Sequence, residues 1–207
     1  MQAHLIIWIY DNGFMKLKVG YIIDGTKALG PGLRFAIWTQ GCLRRCYRCT
    51  SPELQPLDKG KIIDVVTLSN HICATNGISG ITISGGEPLL QAEPLKELLS
   101  LVVCRRPSLN VILFTGYNLC DIKNSGECGI LDYIDLLIDG KYIDEQNSSE
   151  IGLRGSSNQK FHFLTNRLLP YIEEITTGPR KREMRMIGEY EMLTIGIPPR
   201  RKSQEMV

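Results

Sequence analysis

The 207-residue sequence has no long apolar run, little net charge and only three histidines, and each lack closes off a class of function. Its most apolar early stretch, Leu5–Tyr10, ends after six residues. A membrane-spanning helix needs about 20 apolar residues and the apolar part of an export signal about 7 or more. The expectation is a cytoplasmic protein with no membrane association. A net charge of +2 makes no electrostatic case for nucleic acid. The basic clusters Arg180-Lys181-Arg182 and Arg200-Arg201-Lys202 read as a solvated face and a charged tail. Internal repeats and low-complexity linkers are also missing. An apolar share of 43% and a charged share of 22% match an ordinary globular chain, so neither a fibre nor disorder is indicated. The length suits one domain with its own core.

What is present in an unusual arrangement is cysteine. In a reducing compartment the seven cysteines cannot be presumed to pair as disulfides. Three of them cluster as Cys42-x-x-x-Cys46-x-x-Cys49, which asks for metal or catalytic chemistry. Structural zinc takes four protein ligands, commonly as two pairs. Here no second pair exists, because Cys73, Cys104, Cys120 and Cys128 are scattered and His4, His71 and His162 lie far off in sequence. Three thiolates instead suit a cubane iron–sulfur cluster with its fourth iron open to an outside ligand. A zinc site completed by a distant residue, or plain structural thiols, is the competing reading. The four scattered cysteines read as small buried hydrophobes.

Along the chain, Leu5–Tyr10 and Phe14–Val19 flank Asp11-Asn12-Gly13, the turn chemistry of a hairpin. Met15 is an alternative start, which would make the first strand an appendage. Further on, strand and helix patterns alternate. Strands are expected at Leu33–Thr39, Ile81–Ser84, Val111–Thr115 and Ile134–Ile138, with helices over Ile62–Thr75 and from Pro94 through Val103. A last strand is expected within Tyr190–Ile197. This alternation predicts an α/β fold with a parallel sheet, whose active site lies at the carboxyl ends of the strands. At those ends stand Cys42, then Ser84-Gly85-Gly86-Glu87, then Thr115-Gly116, then Asp139-Gly140-Lys141, and one pocket is expected to be lined by all four.

A Cys-x-x-x-Cys-x-x-Cys loop directly after one strand, with Gly-Gly-Glu-Pro closing the next, resembles the radical S-adenosylmethionine superfamily. Three further segments narrow the likeness. Gly30-Pro31-Gly32-Leu33-Arg34, Thr39-Gln40-Gly41-Cys42 and Arg154-Gly155-Ser156-Ser157-Asn158-Gln159 are similar to the activating proteins of anaerobic (class III) ribonucleotide reductases. The resemblance spans residues 24–160, and it implies a partial, incomplete TIM-like barrel with residues 1–23 as a hairpin and 161–207 as a C-terminal extension.

The resemblance also implies roles. Cys42, Cys46 and Cys49 would bind a [4Fe–4S] cluster and form the catalytic centre. Ser84, Gly85, Gly86 and Glu87 would meet the methionine end of S-adenosylmethionine, glycine letting backbone come close to the ammonium. Backbone at Arg48, Cys49 and Thr50 would hold the adenine, and Thr115, Asp139 and Lys141 the ribose or carboxylate. Asp139-Gly140-Lys141 is similar to the Asp-x-Lys element of pyruvate formate-lyase activases, although a surface turn gives the same pattern. Arg154 and Asn158 either position the carboxylate or a partner loop, or shape a turn. The implied activity is reductive cleavage of S-adenosylmethionine and formation of a glycyl radical on a partner, anaerobic ribonucleotide reductase being favoured. The electron donor would be a low-potential protein such as flavodoxin or ferredoxin. A radical enzyme acting on a small molecule or nucleic acid, and a non-catalytic metal-binding interaction module, are the alternatives.

Overall fold

The computed structural model describes residues 10–11, 14–126, 128–187 and 191–198. Strand β1 (Tyr10–Asp11) and strand β2 (Phe14–Thr26) pair antiparallel, Asp11 opposite Phe14, while Asn12 and Gly13 of the expected turn lie outside the described residues. The rest of the expected first strand lies outside the described residues, as do His4 and Arg200-Arg201-Lys202. Then come β3 (Arg34–Thr39), β4 (Lys61–Asp64), α1 (Val65–Ala74), β5 (Gly80–Gly85), α2 (Ala92–Arg105), β6 (Asn110–Phe114), α3 (Leu119–Lys123), β7 (Leu136–Asp139) and β8 (Lys160–Phe163). A short helix α4 (Ile172–Thr176) precedes a separate hairpin of β9 (Glu183–Met186) and β10 (Met192–Ile195).

Eight strands form one sheet in the order β1-β2-β3-β5-β6-β7-β8, with β4 paired to β2. Its middle, β3-β5-β6-β7, is parallel, and the flanks β2 and β8 are antiparallel. The parallel strands are buried on both faces, which is why they read as continuous apolar runs. On one face Ile37, Ile83, Leu113 and Leu137 pack against Leu68 and Ile72 of α1 and Leu95, Leu98, Leu99 and Val102 of α2. On the other, Ala36 and Trp38 meet Leu29, Leu54 and Ile195, while Ile112, Leu136 and Ile138 meet Leu168 and Ile175.

Helix α2 starts at Ala92, which puts Pro94 in the first turn, where its missing N–H costs nothing. The segment read as a helix from Ile62 is different: Lys61–Asp64 pairs with β2, and the helix begins after Asp64, whose side chain accepts from Thr67 N at 2.8 Å. Backbone partners on β2 override the helical spacing of the first few residues, and the Asp cap marks the true start. Cys104 and Cys120 are exposed and Cys73 is half-buried, so the reading of these as buried hydrophobes is not met. Cys104 lies two residues past the buried Val102, on the solvent side of α2. No helix among the described residues is long and apolar enough to cross a membrane.

Candidate active site

The residues that follow β3, β5, β6 and β7 come together at the carboxyl edge of the sheet. They line a cavity of about 460 Å³ that includes Cys42, Cys46, Cys49 and Thr50 from the first loop, Ser84-Gly85-Gly86-Glu87 from the second, Thr115-Gly116 from the third and Gly140 from the fourth. That volume falls in the range of small-molecule sites.

The cysteine loop is tied down by backbone. Gly41 N and Cys42 N donate to Leu54 O and Gln55 O at 2.8 and 3.0 Å, and Arg44 N reaches Cys42 Sγ at 3.4 Å. Arg45 and Arg48 sit at positive φ, 47° and 50°, a conformation that costs energy for side chains of their size. Burial pushes the Cys42 and Cys46 thiols up in pKa, and the neighbouring cysteines add to this. The backbone N–H of Tyr142 and the charge of Lys141 act on Cys46 in the opposite direction.

The Ser84–Glu87 turn is wedged against this loop. Gly86 N donates to Thr39 O and Glu87 N to Gly41 O, both at 2.8 Å. A Cβ on Gly85, whose φ is +116°, would strike the Thr39 backbone, and one on Gly86 would strike the Gly41 carbonyl. Both positions thus require glycine for packing, whatever they also offer a ligand. Glu87 is a strut between strand ends. Its Oε1 accepts from Thr115 Oγ1 (2.7 Å) and Leu89 N (3.1 Å), and its Oε2 from Gly116 N (2.8 Å). Burial raises its pKa against these three bonds and the charge of Arg44.

Asp139, Lys141 and Arg48 are not brought into the cavity wall. The Asp139 carboxylate accepts from Leu119 N at 2.6 Å and lies 3.0 Å from His162 Nε2. Arg48 reaches Asp144 at 3.5 Å. The Arg154–Gln159 segment braces the loop after β7. Gln159 accepts from Gly155 N and Ser156 N and donates to Gly140 O, Asn158 donates to Lys141 O, and Arg154 donates to Ile151 O and Gln159 O. Shaping the turn is the arrangement found for Arg154 and Asn158, and Gly155 and Gln159 reach the cavity.

Among the described residues no three His, Cys, Asp or Glu side chains close on a single metal ion. Zinc would need sulfurs at about 2.3 Å from one centre. Thiolates on a cubane each bind a different iron, and Cys42, Cys46 and Cys49 line one cavity, as such a cluster needs.

Comparison with known proteins agrees. A family model described as a 4Fe-4S single cluster domain matches residues 28–162. The anaerobic ribonucleoside-triphosphate reductase-activating protein of Enterobacteria phage T4 is 34% identical over 136 residues, 63% of this chain and 84% of that protein. Its namesake in Vibrio cholerae serotype O1 is 31% identical over 142 residues, 66% of this chain and 91% of that one. The pyruvate formate-lyase-activating enzyme of Staphylococcus epidermidis is 40% identical over 77 residues, covering 33% of this chain and 30% of that enzyme. The chain belongs to the radical S-adenosylmethionine activating proteins.

The activase residues that the sequence did not single out come from two sources. Trp38, Arg44, Phe114 and Tyr142 flank the motifs and line the cavity beside them. Alternation in β3 was the available signal for Trp38, two residues along from Ala36 on the same face. Arg182, Thr194 and Gly196-Ile197-Pro198 reach the cavity from beyond the family match, and only tertiary structure brings them there. Arg180, read as part of a solvated face, is half-buried and donates to Asn147 Oδ1 (2.6 Å), Arg154 O (2.6 Å) and Gly155 O (2.9 Å), fastening this extension to the loop after β7.

Proposed function

We propose that this chain uses a [4Fe–4S] cluster on Cys42, Cys46 and Cys49 to cleave S-adenosylmethionine reductively and places a glycyl radical on a partner enzyme. Anaerobic ribonucleotide reductase is the favoured client. The observation that carries this reading is the meeting of three thiols and the Ser84–Glu87 turn in one cavity of ligand size. The names of the relatives, which activate anaerobic ribonucleotide reductase or pyruvate formate-lyase, support it.

When bound, the cluster supplies the electron that splits S-adenosylmethionine into methionine and a 5′-deoxyadenosyl radical able to take hydrogen from a backbone glycine. The chain's part is to bind, orient and exclude. Backbone at Ser84–Gly86 would meet the ammonium, and backbone at Cys49 and Thr50, which line the cavity, would meet the adenine, with Arg48 outside the wall shaping that turn at its positive φ. Glu87 and Thr115 fix the two strand ends relative to each other. Asp139 acts through Leu119 and His162 to set the β7 exit, from which Lys141 extends toward the cysteine loop. A partial barrel is the architecture the family resemblance implies, and a client loop entering the cavity would complete the exclusion of water. The donor would be a flavodoxin or ferredoxin, and a reducing cytoplasm suits the free thiols.

The test is anaerobic reconstitution with iron and sulfide, reduction by dithionite and assay of 5′-deoxyadenosine, with Cys46→Ala in parallel. Cysteine-dependent release is expected. Tightly bound zinc with no cluster and no release would overturn the proposal. With release in hand, a glycyl radical signal on added anaerobic ribonucleotide reductase identifies the client.

A further inference from the structure

The β9–β10 hairpin has two unlike faces. Met186 stands opposite Met192 and Met184 opposite Thr194, so these four side chains share one face, while Glu183, Arg185, Leu193 and Ile195 share the other. The second face is committed to the body of the protein. Ile195 is fully buried and Leu193 half-buried in the cluster that contains Ala36 and Trp38. Glu183 accepts from Lys27 N at 2.7 Å, and Arg185 donates to Gly25 O. The first face is apolar and open to solvent: Met184 is 70% exposed, Met186 63% and Met192 62%. One exposed methionine needs no explanation, but three in cross-strand register make an apolar surface of the kind that marks a contact site. The unbranched, polarisable methionine side chain suits a surface that adapts to a partner.

The position of this face says what covers it. Thr194, its fourth member, also lines the active-site cavity, and the chain runs on along the cavity wall through Gly196, Ile197 and Pro198. The methionine face therefore adjoins the cavity. An activating protein of this family acts on another enzyme, and a backbone glycine of that enzyme has to reach the cavity. A loop cannot enter there without the protein around it lying against the adjoining wall. The hairpin falls beyond residue 162, where the family match ends, so this surface is an addition to the shared activase core.

We infer that the face formed by Met184, Met186 and Met192 is a docking surface for the client enzyme, covered by the apolar protein surface that flanks the client's glycine. This rests on the client reading of the activity and adds to it the place where the client is held.

The test combines Met184→Glu, Met186→Glu and Met192→Glu in the full chain, reconstituted with its cluster. Binding to the anaerobic ribonucleotide reductase of the same organism, in its radical-free form, is measured by anaerobic calorimetry. Charges in place of three apolar anchors predict a Kd about 10- to 100-fold weaker. Release of 5′-deoxyadenosine without client should match wild type, since none of the three methionines lines the cavity. Glycyl radical formation should need correspondingly more client for half its maximum and reach the same plateau. An unchanged Kd overturns the inference. So does a wild type that sediments as a dimer and a variant that sediments as a monomer with client affinity intact, because the face then binds a second copy. If wild type releases 5′-deoxyadenosine yet neither binds the reductase nor forms a radical on it, the client reading fails and the inference falls with it. No release at all removes the cofactor reading as well. Should the triple variant not load the cluster, Met184→Ser with Met192→Ser is read instead, and its Kd is several-fold weaker or the inference is wrong.

Discussion

The two ends of the parallel sheet are built from similar polar residues and treat them in opposite ways. At the amino end Arg34 is fully buried, and burial pulls its pKa down to about 9. Its guanidinium is nonetheless matched: Nε donates to Thr82 Oγ1 (2.6 Å), and the terminal nitrogens donate to Pro31 O, Asn110 Oδ1, Asn110 O and Ile81 O. Asp135 beside β7 is likewise occupied, accepting from Val111 N, Thr165 Oγ1 and Arg167. At the carboxyl end another arginine, Arg44, keeps a buried nitrogen without a partner, and three thiols share a cavity. A closed polar network holds a fold together, whereas an open one leaves binding energy for a ligand. The difference locates stability at one end and chemistry at the other, as in other parallel α/β proteins.

The largest expected effect breaks the carboxyl end alone. Cys46→Ala should abolish cluster loading and 5′-deoxyadenosine release, while the unfolding free energy of the metal-free protein, from urea titration, changes by no more than about 0.5 kcal/mol, because a half-buried thiol makes little packing contribution. A large loss of stability would show that the two ends are not separable. The converse experiment is Arg34→Leu. It strips partners from Thr82, Asn110 and two further carbonyls, so unfolding should become easier by about 3 kcal/mol or more. Activity per folded, cluster-loaded molecule should remain as in wild type.

An intermediate case joins the ends of β3 and β5. Gly86→Ala places a methyl on the Gly41 carbonyl, and neither backbone can retreat without losing the Gly86–Thr39 or Glu87–Gly41 hydrogen bond. A loss of about 1–3 kcal/mol is expected in chemical denaturation, together with poorer cluster retention measured as iron per chain. Full stability with normal iron content would show that the glycine serves the ligand alone.

How far the sequence foretold this division can be judged from the same residues. The strands of the parallel core and the four motifs that close them were legible, because apolar periodicity and the residues closing each strand are local signals. Gly30-Pro31-Gly32-Leu33-Arg34 was legible only as a resemblance. Its physical content, a buried guanidinium crossing to Thr82 and Asn110, depends on which strands lie side by side. Asp139 was read for the ligand and is engaged with Leu119 and His162, since a strand-end carboxylate looks alike in sequence on either face of the sheet. The Arg180 anchor and the cavity residues after 181 were out of reach for the same reason: their partners lie more than 20 residues away.

The smallest effect is also the sharpest probe of Glu87, the strut that belongs to the chemical end and is yet as fully bonded as Asp135. Burial raises its pKa above the ordinary 4.5. Between the unfolded and folded values the native state therefore holds more protons, and stability falls as pH rises through that window. Below the ordinary value the Glu87 contribution is fully present. Glu87→Gln cannot titrate. It also has one acceptor where the carboxylate has two, so one of the bonds from Thr115, Leu89 and Gly116 weakens, and this shifts its stability by an amount independent of pH. The slope is thus the readout. In the metal-free protein, wild type should lose stability relative to Glu87→Gln on moving from mildly acid to neutral pH, with parallel curves well below 4.5. Curves parallel across the whole range would mean that the three donors hold Glu87 ionised as easily as water does, and that the strut is held by hydrogen bonds at no electrostatic cost.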